Sequence, residues 1–266
     1  MATYLDRILA AHRARARVDA RPRRDLEAAL TRAPAPRDFA AALHSPGLSV
    51  IAEVKRRSPS KGLLAPELDP RAVARAYEAG GAACLSVLTD AEFFGGSPDD
   101  LAAARSATAL PVLRKDFTVS EADVLDARAM GADAVLLIVA ALDDAELRAF
   151  ADLAREIGLA ALIECHDEDE VERALAAGAD IVGVNQRDLV TFAVDTDRAI
   201  RVASAIPAGV VKVAESGIRT ADDAARLAAA GYDAVLVGEH LVTSTDPASA
   251  VRALVAAPLA APPVAG

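Results

Sequence analysis

From Leu48 onward the chain alternates short runs of β-branched and aliphatic residues with longer Ala/Arg/Glu/Asp segments of helical period. The runs are Leu48–Val54, Ala82–Leu88, Ala109–Arg114, Asp133–Val139, Leu159–Glu164, Asp180–Val184, Val210–Ala214 and Asp233–Val237. Near-continuous apolar runs suit parallel strands covered on both faces, and their alternation with helical segments predicts repeated βα units. Eight such runs, one every 26 residues or about that, fit an α/β fold of the closed (β/α)8 TIM-barrel type better than a five- or six-stranded open sheet. A recurring phrase introduces several runs: Ala79-Gly80-Gly81, Met130-Gly131-Ala132-Asp133, Ala177-Gly178-Ala179-Asp180 and Ala230-Gly231-Tyr232-Asp233. Its glycine is expected to end a helix in the left-handed conformation at the bottom of the barrel. Residues 1–47 precede the first run and carry apolar pairs at helical spacing: Tyr4, Leu5, Ile8 and Leu9, then Leu26 and Leu30, then Phe39 and Leu43. They predict an N-terminal helical extension that caps the barrel. The first stripe is expected over the barrel mouth, the barrel to occupy residues 48–257, and the Ala/Pro-rich stretch 258–266 to fray.

Composition sharpens this picture. A length of 266 residues suits one barrel, and with only six Phe, three Tyr and no Trp the core must be built from Ala, Val, Leu and Ile. The longest apolar run, Ala134 to Leu142, is about half of what a membrane-spanning helix needs. No apolar segment of secretory type follows the start. The isolated Cys84 and Cys165 read as free, buried thiols, so a reducing cytoplasm is expected. The net charge of −10 disfavours nucleic acid. The seven arginines of residues 1–24 form one basic patch, but no RNA-recognition motif accompanies it, and the polar face of an amphipathic helix explains it.

Active sites of barrels lie where the strands end. The polar residues there are Glu53 and Lys55, two apart and so on one side of strand 1; Lys115 at the end of strand 3; Glu164 after strand 5; Asn185 and Arg187 after strand 6; Glu215 and Ser216 after strand 7; and Glu239 after strand 8. Lysine usage singles out two of them. The chain has 25 Arg and only four Lys, at 55, 61, 115 and 212. A retained lysine points to a position that needs an amine whose pKa can move, which a guanidinium cannot supply. Lys55 and Lys115 are therefore read as catalytic or ligand-binding, Lys61 as either a ligand or an ordinary loop residue, and Lys212, mid-strand, as structural. Lysines and carboxylates around one mouth make a proton-transfer site, with Glu164 the base candidate and Glu53 either a participant or an orienter of Lys55. The turns Ser216-Gly217 and Gly238-Glu239, after strands 7 and 8, are where barrels bind phosphate, so a phosphorylated substrate is implied. The four histidines lack metal-ligand spacing, and no P-loop, GxGxxG or GxSxG motif occurs, so neither a metal nor a nucleotide cofactor is expected.

The run Ile51-Ala52-Glu53-Val54-Lys55-Arg56-Arg57-Ser58-Pro59-Ser60-Lys61-Gly62 resembles the signature of the indole-3-glycerol-phosphate synthase family. Further segments agree in order and spacing: Ser86–Asp90 with Phe93–Ser97, Leu113–Phe117, Leu162–Glu164, Gly183–Leu189, Ala214–Ile218 and Leu236–Glu239. His240 departs from the pattern, where a small polar residue is commoner. The resemblance implies a carboxy-lyase of tryptophan biosynthesis that closes 1-(2-carboxyphenylamino)-1-deoxyribulose 5-phosphate to indole-3-glycerol phosphate with loss of CO2 and water, without a cofactor. It implies Lys115 as general acid, Glu164 as proton acceptor in the dehydration, and Lys55, oriented by Glu53, as a substrate-binding or protonating group. It further places Ser58, Phe94, Phe117, Asn185, Arg187 and Glu215 around the substrate, with Phe94 and Phe117 at its aromatic ring and Ser216, Gly217, Gly238 and Glu239 at its phosphate. A phosphoribosylanthranilate isomerase-like barrel would instead use a Cys/Asp pair, and neither cysteine ends strand 1. A catalytically inactive binding module is the reading from another class, and intact Glu53, Lys55, Lys115 and Glu164 argue against it. Oligomeric state is open, with a monomer compatible.

Overall fold

The computed structural model describes residues 3–44, 47–59, 61–188 and 190–256, so the stretch 258–266 lies outside the described residues. Eight parallel strands close into a barrel: β1 Ser49–Val54, β2 Cys84–Leu88, β3 Val112–Lys115, β4 Ala134–Ile138, β5 Ala160–Cys165, β6 Ile181–Asn185, β7 Val211–Glu215 and β8 Ala234–Val237. Each pairs with its sequence neighbours, and β8 closes on β1 through Ser49↔Ala234 to Ala52↔Val237. All eight expected runs are strands; each begins one to three residues later than expected, and β3, β5, β6 and β7 run one residue further at the mouth. The strands are almost wholly buried, as runs sandwiched between a packed interior and a helical ring must be. Gly81, Gly131, Gly178 and Gly231 adopt φ of +83 to +91°, the left-handed ends expected of the recurring phrase. Its aspartates also work: Asp133 accepts the N–H of Val112 at 2.8 Å and Asp233 that of Lys212 at 2.8 Å, fastening the starts of β3 and β7.

The N-terminal segment runs the height of the barrel. Helix α1 (Tyr4–Val18), started by a Thr3/Asp6 capping box, lays Tyr4, Leu5 and Ile8 along the mouth. Helix α2 (Arg23–Leu30) packs against the helix Glu121–Ala129 that follows β3, and α3 (Phe39–Ala42) buries Phe39 at the base, near Cys84. A two-stranded hairpin, Arg57–Ser58 with Gly62–Leu63, stands after β1 where the sequence pattern predicted only a loop; two-residue strands are too short to leave a periodic signal. Lys212 donates to the Ala203 carbonyl at 2.9 Å, the structural role expected of it, and Cys84 and Cys165 are free and buried.

Candidate active site

The strand ends surround a cavity of about 500 Å³ at the C-terminal mouth. All fourteen residues singled out as catalytic or substrate-binding line it: Glu53, Lys55, Ser58, Phe94, Lys115, Phe117, Glu164, Asn185, Arg187, Glu215, Ser216, Gly217, Gly238 and Glu239. Period-2 alternation sends Leu113 and Lys115 of β3 into the barrel and Arg114 outward. Arg114 is buried between strands and helices with Thr89 and Asp116.

The floor holds a charge cluster. Lys115 Nζ donates to Glu164 Oε2 at 3.0 Å and to Glu215 Oε2 at 3.2 Å, and Lys55 Nζ pairs with Glu53. Glu53, Glu164 and Glu215 are 4, 1 and 2% exposed. Burial opposes the ammonium of Lys115, but the surrounding Glu164, Glu215 and Glu53 outweigh it and push its pKa up. Burial would likewise raise Glu164, yet Lys115, His166 and the amide of Asn185, which donates to Glu164 Oε1 at 3.1 Å, hold it below the ordinary carboxylate value. Glu215 goes the other way. Burial raises it, Lys115 offsets this only in part, and the neighbouring Glu164 adds to it, giving a value of about 7. The three groups thus form one ionised pair and one carboxyl that titrates near neutrality.

The upper wall is aromatic. Phe94 and Phe117 lie 6.3 Å apart, and Tyr4 of α1 meets Phe192 edge-on at 5.3 Å. Four of the nine aromatic rings in the chain therefore line one cavity. Phe192 was missed by sequence reasoning; the scarcity of aromatics is the signal that could have flagged it. It sits at φ +60°, an unusual conformation for a non-glycine residue, in a loop fastened by Asp188 N–H to the Ala193 carbonyl at 2.9 Å.

On the opposite side, Ser216 and Gly217 take successive φ of +69 and +78°, with Gln186 Nε2 donating to the Ser216 carbonyl at 2.8 Å. A side chain at Gly217 would meet Val194 at 2.6 Å, and one at Gly238 would run into Glu53 and come within 3.0 Å of Lys55 Nζ. Gly238 therefore leaves room for the Glu53–Lys55 pair as well as for any ligand. The Glu239 carboxylate is turned to Lys61 at 2.6 Å and Arg219 at 3.8 Å; burial would raise its pKa, and Lys61, Arg219 and Arg187 hold it low. What Glu239 can offer an anion is its backbone. Lys61 is thus a rim ion pair joining the loop after β1 to the end of β8.

A second group was invisible to sequence spacing because it joins three elements. His12 of α1, Asp90 after β2 and Asp116 after β3 bring ligand-type atoms within 4.8 Å of one another. Arg114 already meets Asp116 at 3.0 Å, and Arg15 meets Asp90 at 3.4 Å.

Comparison with known proteins bears on this geometry. A family model described as indole-3-glycerol phosphate synthase matches residues 5–254. The chain is 52% identical over 258 residues to the indole-3-glycerol phosphate synthase of Mycobacterium ulcerans, covering 96% of this chain and 95% of the relative. It is 58% identical over 228 residues to that of Nocardioides sp., covering 86% and 88%. Among solved structures, a thiamine phosphate pyrophosphorylase from Pyrococcus furiosus shares the fold with a TM-score of 0.59 at 19% identity, over 78% of this chain and 93% of that one. By the extent and identity of these matches, the chain belongs to the indole-3-glycerol phosphate synthase family.

Proposed function

We infer that the protein closes the ring of 1-(2-carboxyphenylamino)-1-deoxyribulose 5-phosphate to give indole-3-glycerol phosphate, CO2 and water, as a carboxy-lyase of tryptophan biosynthesis. The observation that carries this reading is Lys115 Nζ held between Glu164 and Glu215 on the cavity floor, with an aromatic wall on one side and the Ser216-Gly217 and Gly238-Glu239 turns on the other. Phe94 and Phe117 take the carboxyphenyl ring. The backbone N–H groups of the two turns take the phosphate, in the field of Arg187, Arg219 and Lys61. The sugar carbonyl then lies over the charge cluster, where Lys115 protonates its oxygen as the ring carbon bearing the carboxylate attacks. CO2 leaves from that carbon, the hydroxyl departs as water, and Glu164 removes the proton from the adjacent methylene to complete the indole. Glu53 orients Lys55 toward the substrate oxygens, Asn185 fixes the Glu164 carboxylate, and Ser58 lines the entrance. The reaction is redox-neutral and balances without a cofactor.

An isomerase of related substrates would need a cysteine at the end of β1, where Glu53 and Lys55 stand. Arg13, Arg15, Arg21 and Arg23 of the N-terminal segment are engaged by Glu146, Asp90, Asp126 and Glu121, which speaks against a nucleic-acid role for the basic patch. No helix among the described residues is long and apolar enough to cross a membrane. The two isolated thiols fit the cytoplasm, and we take the active unit to be the monomer, since the cavity is built from a single chain. Turnover is tested by following indole fluorescence, which a chain without tryptophan leaves unobscured. Absence of indole product from the purified protein and substrate would refute the assignment.

A further inference from the structure

His12 lies outside the reacting groups, yet three contacts tie it to the aromatic wall. Its Nε2 is 3.0 Å from Asp90 Oδ2 and 3.8 Å from Asp116 Oδ1. The Asp90 carboxyl is held below its usual range: burial opposes this, but the bonds from His12 and from the Phe93 N–H outweigh it. Asp90 is therefore ionised and can only accept, so His12 Nε2 is the donor. Asp90 Oδ1 accepts the N–H of Phe94 at 3.2 Å as well as that of Phe93, capping the helix Ala91–Phe94. Asp116 Oδ1 accepts the N–H of Phe117 at 2.8 Å, and the Phe117 ring lies 5.4 Å from the imidazole. Each carboxylate that His12 approaches thus holds the backbone of one cavity phenylalanine, and the imidazole, on the buried face of α1, lies between them.

We propose that His12 is a positioning residue of the aromatic subsite: by hydrogen-bonding Asp90 while its ring lies against Asp116 and Phe117 it fixes the separation of Phe94 and Phe117 and so the fit of the carboxyphenyl ring. The proposal deepens the functional reading above and rests on it. A divalent cation is the competing occupant of the same three side chains. The guanidinium groups of Arg114 and Arg15 on these carboxylates supply the positive charge that such an ion would bring. The imidazole adds a link from α1 to the one that the Thr89 hydroxyl already makes to Asp116 between the strand ends.

The test compares His12→Leu, His12→Gln and His12→Asn in the full chain. Loss of a hydrogen bond to a buried carboxylate loosens the ring site in both ground and transition states, so KM for the substrate should rise about tenfold in His12→Leu with kcat little changed. Inhibition by inorganic phosphate, which reports the opposite wall, should stay within about twofold of wild type. Gln, whose amide reaches as far as Nε2, should restore KM, whereas the shorter Asn should not. That pair decides the matter even if His12→Leu fails to fold. Unchanged KM in His12→Asn, or KM and phosphate inhibition weakening in parallel, would overturn the positioning role, and so would activity in the wild type that falls on addition of a chelator and returns with a divalent cation. A wild type that makes no indole product would remove the functional reading and this one together, whereas an active wild type with unaltered variants removes only this one.

Discussion

Replacing Glu215 by Gln should make the protein more stable at alkaline pH while lowering its activity. Glu215 shares the single ammonium of Lys115 with Glu164, and burial together with that second carboxylate raises its pKa from 4.5 to about 7. Because the folded-state value lies above the unfolded one, the native chain binds this proton more tightly. The stabilisation is fully present below 4.5 and is lost as the pH rises through 7. The interval between the two values is worth on the order of 3 kcal/mol. Gln keeps the shape and neutrality of the protonated form and does not titrate. Urea unfolding of both proteins from pH 5 to 8.5 should therefore show a stability gap that opens in favour of Glu215→Gln by about 2–3 kcal/mol, with the m-value unchanged. Turnover at neutral pH should fall at least about tenfold, because a proton-exchanging group is gone. A gap that is constant over this range would mean that Glu215 ionises in the protein as it does in water, and one that closes as the pH rises would mean that its folded-state pKa is lowered; either result refutes the reasoning.

Lys115→Met should lower kcat by about 10²–10⁴ while substrate affinity by calorimetry stays within about tenfold; retention of a tenth of wild-type kcat would sink the acid role. Gly238→Ala should impair kcat as well as KM, since the new methyl group displaces Glu53 and Lys55, and a pure KM effect would contradict that geometry. A substrate analogue lacking the phosphate should lose kcat as well as affinity, because binding energy at the Ser216-Gly217 and Gly238-Glu239 turns helps place the sugar carbonyl at Lys115. Near-equal kcat/KM for the two compounds would mean that these turns form no phosphate site.

The eight strands and the cavity-lining residues were legible because barrel geometry converts sequence position into spatial position. A polar residue that follows an apolar run stands at the mouth, and eight mouths converge on one cavity. Lysine scarcity worked for the same reason, since Lys55 and Lys115 stood out against 25 arginines. What the pattern could not carry were contacts between elements far apart in the chain. His12 and Asp90 are 78 residues apart and meet only once α1 crosses the mouth. Phe192 reaches the cavity because its loop takes a left-handed turn that no local motif announces. Glu215 read as one more polar strand end; its unusual titration depends on Glu164 competing for the same lysine, a property of three strands together. The double duty of Gly238 likewise follows from β8 lying beside β1 in the closed barrel.

The composition of the floor matches the proton economy of the proposed reaction. Converting the carbonyl oxygen to water needs two protons, and the methylene returns one, so each turnover takes up a single proton, matching the negative charge lost as the carboxylate departs as CO2. Two lysines and three carboxylates with one carboxyl protonated make an electrically neutral cluster; ionising Glu215 leaves one uncompensated buried charge, and this is what holds its pKa near 7. In the Lys115–Glu164 pair the opposite charges outweigh burial and push the amine up and the carboxyl down, away from neutrality. The third carboxylate supplies a group that can gain or lose a proton at physiological pH with little change in free energy. Gly183 makes this possible, because any side chain there would occupy the space taken by the Glu215 carboxylate. The stability given up by burying Glu215 and the proton exchange it provides are two consequences of the same placement.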